Sequence, residues 1–121
     1  MSALGWVSSW LTAFLLTQVV EMGVYVSVPG PERPLRERLA IAFGASAITH
    51  PLVWFVITPL YLPLGFEWWT AVAIAEAFAF LAEALWLLAF SHPLKYAFTA
   101  SAVANGLSFT IGLFCYELLG W

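Results

Sequence analysis

Six side chains able to bind or exchange ions sit within otherwise apolar stretches: Glu21, His50, Glu76, Glu83, Asn105 and Ser108. An acid or base at the middle of a membrane-spanning helix costs at least about 2.5–3.5 kcal/mol. Groups placed at that cost face a bundle interior, a water-filled cavity or a partner subunit. Low dielectric favours the uncharged form of an acid or base, which makes such groups exchange points for protons and cations. In this reading Glu21 and Glu83 form a coupled acid pair sharing one proton. His50 and Glu76 form a second, switchable pair.

Two other chemistries fit the same residues. His50 and Glu76 are the candidate ligands for a transition metal, since imidazole and carboxylate suit Zn, Mn or Fe. The Glu-x-x-His spacing of di-iron bundles is absent. Alternatively the acids are protonated and hydrogen-bonded, joining helices at about 0.6–2 kcal/mol per bond. Catalysis finds little support, because Cys115 and the serines lie far from His50 in depth or lack a nucleophile elbow; Ser108 does share a level with His50, so the reading leans away from an enzyme and leaves a Ser–His arrangement open.

The elements positioning these residues follow from composition. Of 121 residues, 63% are apolar and 9% charged: four Lys/Arg and seven acids, all glutamate. Mean hydropathy is +0.92. Soluble domains carry about 45–50% apolar and about 25% charged residues, and so short a chain cannot hide that much apolar surface from water. A soluble domain and a nucleic-acid binder are excluded; four basic residues make no phosphate-binding face. The expectation is an all-α integral membrane protein with the lipid bilayer as its surroundings. A span needs about 20 apolar residues, and the chain divides into four, at about 4–28, 39–62, 67–90 and 96–120, forming one domain over 1–121. Pro29-Gly30-Pro31, Pro63-Leu64-Gly65 and Ser91-His92-Pro93 punctuate them. Connections this short predict an antiparallel bundle.

Arg33, Arg36 and Arg38 fall in the first connection and Lys95 in the third, with none in the second or at either end. The positive-inside rule then puts both termini outside the cytoplasm. Met1 to Leu11 carries no Lys or Arg and reads as a retained first span rather than a cleaved leader. Trp6, Tyr61, Trp68, Trp69 and Trp121 fall near the outer ends, as an aromatic belt. Pro51 and Pro59 lack the donors owed to Ala47 and Phe55, so the second helix is expected to kink at Thr49-His50-Pro51, with the threonines re-satisfying freed backbone.

Depth along each span sorts the polar groups. At a rise of about 1.5 Å per residue, Glu21 and Glu83 lie about 10 Å from the cytoplasmic ends and Asn105 about 13 Å. His50, Ser108 and Glu76 lie at about 16, 18 and 21 Å. Two layers result: Glu21, Glu83 and Asn105 with Gln18 just above, then His50, Glu76 and Ser108. Glu76 and Glu83, seven apart, share one helix face. Ser101, Asn105, Ser108, Gly112 and Cys115 step by four and three residues, a small and polar seam suited to close packing. Gln18, Glu21 and Tyr25 line one face of the first span. The polar stripes are expected to meet on the bundle axis.

The order Glu21, Thr49-His50-Pro51, Glu76, Glu83, then Asn105, Ser108 and Gly112 resembles a group of uncharacterised bacterial four-span membrane proteins. There the second-span motif more often reads Thr-Asn-Pro, so His50 stands in an asparagine place. The resemblance covers nearly the whole chain and implies a bacterial inner-membrane protein without implying an activity. In length and span count the chain also looks like the small multidrug resistance transporters, which have an acid on the first span but none on the third. The function these features point to is binding or translocation of a small cation, proton or polar solute. The alternatives are an accessory subunit of a larger membrane complex and an intramembrane metal site. A 13.4 kDa bundle is expected to assemble with copies of itself or with a partner subunit.

Overall fold

The computed structural model describes residues 2–120, which are mostly helical with no strand among them. Four long apolar helices account for most of the chain: α1 (Ala3–Tyr25), α2 (Leu35–Tyr61), α3 (Trp68–Ala89) and α4 (Leu94–Leu119). Each is long and apolar enough to cross a bilayer. Trp121 of the expected aromatic belt lies outside the described residues.

Local chemistry sets the ends. The Ser2 side chain accepts a hydrogen bond from the Gly5 amide at 3.1 Å, capping α1. Pro29-Gly30-Pro31 cannot continue that helix, which ends at Tyr25 rather than at 28. Pro34 caps α2, whose first turn takes in Arg36 and Arg38, while Arg33 stays in the connection. α3 ends in a Schellman turn: the Ser91 and His92 amides donate to Leu88 and Leu87 carbonyls at 2.9 and 3.1 Å, with Ser91 at φ +68°. α4 ends at Gly120, which takes the left-handed conformation at φ +69°.

The second helix is irregular in a different place from the one expected. α-Helical geometry runs through Pro51 to Leu52, a π-helical turn follows over Val53–Ile57, and a last α turn spans Thr58–Tyr61. A π turn admits an extra residue and so moves the disruption between the two prolines. Thr49 Oγ1 lies 3.1 Å from the carbonyl of Ala45 and makes no hydrogen bond to that of Ala47, whose usual donor Pro51 lacks.

Each helix packs on two neighbours: α1 on α2 and α4, and α3 on α2 and α4. Small residues make these approaches close. Ala42, Ala45, Ala97 and Ala104 are at most 1% exposed and pack with Leu87 and Tyr25. At Gly44 an added Cβ would stand 2.6 Å from the Trp86 ring, whose Nε1 donates to the Ile41 carbonyl at 2.9 Å. The first and third connections meet at one end. Arg33 donates to the Phe90 carbonyl at 2.9 Å, His92 Nδ1 lies 3.2 Å from the Pro29 carbonyl, and Arg38 donates to the Val26 carbonyl. The two arginines thereby satisfy carbonyls just past the C-terminal ends of α3 and α1. At the opposite end Trp6 packs on Trp54 with ring centroids 5.0 Å apart.

Burial is reversed from that of a water-soluble protein. Leu15, Val19, Leu81, Leu85 and Leu107 are exposed, whereas Glu21, Glu83, Ser46 and Ser101 are at most 1% exposed.

Candidate functional site

All four helices contribute to one polar core. Glu83 of α3 accepts hydrogen bonds at both oxygens, from Tyr25 Oη of α1 at 2.6 Å and from Thr49 Oγ1 of α2 at 2.8 Å. Glu21 of α1 likewise accepts at both, from Ser108 Oγ of α4 at 2.7 Å and from Ser46 Oγ of α2. Ser46 and Thr49 are one turn apart on α2, about 4.5 Å of rise, so that helix holds the two carboxyls side by side. Asn105 donates to the Ser101 carbonyl at 2.9 Å and lies 3.4 Å from Tyr25 Oη. Ser101 in turn donates to the Phe80 carbonyl at 2.7 Å. A carboxylate accepts at up to four lone-pair sites, so hydroxyl donors leave each of the two acids capacity for a proton or cation.

The expected lower layer is therefore present around Glu21 and Glu83, with two changes. Ser108 joins this layer and not the one of His50 and Glu76. Side chains on a helix lean toward its N-terminus; Glu21 on α1 and Ser108 on α4 lean toward each other and close the gap in depth. Asn105 reaches the acids through Tyr25 instead of touching them. Gln18 donates to the Phe43 carbonyl at 3.2 Å, while its Oε1 is buried without a partner.

The upper layer is looser. His50 and Glu76 line the same cavity, but no hydrogen bond joins them. The His50 ring lies between Phe14 and Trp54, with centroids 5.7 and 6.1 Å away, and its Nδ1 is buried without a partner. Glu76 is half-buried and has no hydrogen-bond partner among the described residues. Among those residues no group of three or more His, Cys, Asp or Glu side chains is placed to hold a metal ion. His50 and Glu76 alone make at most a two-ligand site.

A cavity of about 1170 Å³ runs from the tryptophan-bearing end to the carboxyl pair. Trp6, Trp68, Trp69 and Glu117 stand at its mouth, His50, Trp54 and Glu76 along its wall, and Glu21, Glu83, Thr49 and Asn105 at its floor. Beyond the floor lies the close-packed alanine layer. Apart from the Tyr116 phenol, every ionisable side chain lining the cavity is a glutamate or His50; no Lys or Arg reaches it.

Ser46 and Thr49 were not among the expected site residues, and Tyr25 was placed only on a polar face. A signal was present: Ala42, Ala45, Ser46 and Thr49 fall at i, i+3, i+4 and i+7, one small and hydroxyl-bearing stripe on α2. No family model matches the chain, and no curated protein or solved structure matches it.

Proposed function

We propose that this chain is a four-span antiparallel bundle of a bacterial inner membrane that binds, and passes on, a proton or small cation at the Glu21–Glu83 pair. Reversed burial and four long apolar helices support the membrane setting. The meeting of the first and third connections supports the antiparallel course, and the prolines with the π turn support a bend in α2. The basic residues of those connections favour a cytoplasmic end there, which directs the cavity mouth outward. The observation that carries the function is a pair of carboxyls, each 1% exposed, at the floor of an open cavity that no Lys or Arg lines. Oxygen donors alone, from carboxyls, hydroxyls and an amide, form a hard site suited to a proton or alkali cation. Asn105 orients Tyr25, and Ser108 orients Glu21.

The test is flux in proteoliposomes. Wild-type protein is expected to carry protons or sodium down an imposed gradient, and Glu83→Gln is expected to abolish that flux with helicity and oligomeric mass unchanged. Wild-type vesicles no leakier than empty ones would overturn the reading.

A second reading has its own support: all four oxygens of Glu21 and Glu83 already accept hydroxyl hydrogen bonds. In that case the acids lock the helices of an accessory subunit. It predicts that Glu83→Gln loosens the fold, that no flux is seen, and that a larger membrane complex co-purifies.

A further inference from the structure

The cavity is far larger than its floor requires. A water molecule takes about 30 Å³ of liquid and small-molecule pockets run about 300–1,000 Å³; this cavity holds about 1170 Å³. Four indole rings, Trp6, Trp54, Trp68 and Trp69, stand around its outer part among small and hydroxyl-bearing side chains. Indole faces attract cations. Glu76 stands between these rings and the floor, seven residues and about 10 Å along α3 from Glu83. Unlike the floor carboxyls, it spends neither oxygen on the protein. A half-buried acid at this depth with no donor is an unfilled acceptor, and only a ligand or water can fill it.

We propose that the outer cavity binds a monovalent organic cation with a flat apolar body, its charge paired with Glu76 and its body held among the indole rings. This rests on the reading above that the cavity admits cations, and it assigns a ligand class to the wall where that reading concerns the floor. Carboxyls with no Lys or Arg counterpart disfavour anions, and the indole rings separate this site from one built for a bare hydrated ion.

The probe is N-methylquinolinium, with uncharged quinoline as its shape-matched control. Titration of the purified full chain, followed by tryptophan quenching and equilibrium dialysis, is expected to show saturable binding of the cation near one per chain. Quinoline is expected to bind about tenfold more weakly or not at all. Glu76→Gln is expected to cost about tenfold in affinity, Glu76→Asp to retain most of it, and Glu32→Gln at the opposite end to change nothing. Equal binding of quinoline would reduce the site to an apolar slot and overturn the proposal, as would binding indifferent to Glu76→Gln. Should Glu76→Gln fail to fold, the cation-to-quinoline preference and the Glu76→Asp affinity decide the matter. Glu83-dependent proton or sodium flux without quinolinium binding sinks this inference and leaves the floor site standing; quinolinium binding without flux does the reverse.

Discussion

At the scale of single residues, the polar core is a set of hydrogen bonds closed on itself. Removing one donor leaves its buried acceptor short of a partner, and such a loss costs about 1–3 kcal/mol. Tyr25→Phe keeps the ring but takes a donor from Glu83 and an acceptor from Asn105; it is expected to lower unfolding stability in detergent by about that amount. Thr49→Val, which takes only one donor from Glu83, is expected to cost about 1 kcal/mol. Because both donors serve one carboxyl, the double variant should depart from the sum of the singles. Additive losses in chemical denaturation would mean that the two bonds act independently.

At the scale of helices, α2 and α3 come close at Gly44 against Trp86. Gly44→Ala puts a methyl where the indole already stands and is expected to destabilise the fold by about 1–3 kcal/mol. Trp86→Phe removes the indole's outer ring, and Gly44→Ala placed on that background should cost markedly less. Comparison of melting temperatures across the four proteins checks this. The four helices were legible because span length and hydropathy are summed over many residues and tolerate local error. The π turn was not, since it depends on how two prolines, eight residues apart, share the loss of donors, and composition does not encode that. The acids on the axis were legible from the cost of burying them. Their hydroxyl partners were less so, because serine and threonine in a span can bond to their own helix, as Thr110 does to the Gly106 carbonyl at 2.7 Å. Only a neighbour's position decides between the two.

For the whole molecule, the test is sidedness. Single cysteines introduced at Ser2 and at Glu32, on a Cys115→Ala background, are expected to label differently in intact cells with a membrane-impermeant maleimide: Ser2→Cys at once, Glu32→Cys only after permeabilisation. The opposite pattern would turn the cavity mouth toward the cytoplasm. The distribution of charge also bears on assembly. With Leu81, Leu85 and Leu107 on the outside and every titratable group of the core turned inward, neighbouring copies would meet through apolar surface alone.

The alanine layer beneath Glu21 and Glu83 has a mechanical consequence. Methyl-sized side chains let backbones touch, and the larger ones among them, Leu87, Ile41 and Tyr25, are buried in close packing, so a solute leaves that way only when whole helices part. Arg33 and Arg38 tether the ends of α3 and α1 on that same side, so they would act as the hasp on such a movement. Under the proposed transport reading the molecule is a blind well at rest, and its throughput would be set by how often two arginine clasps let go.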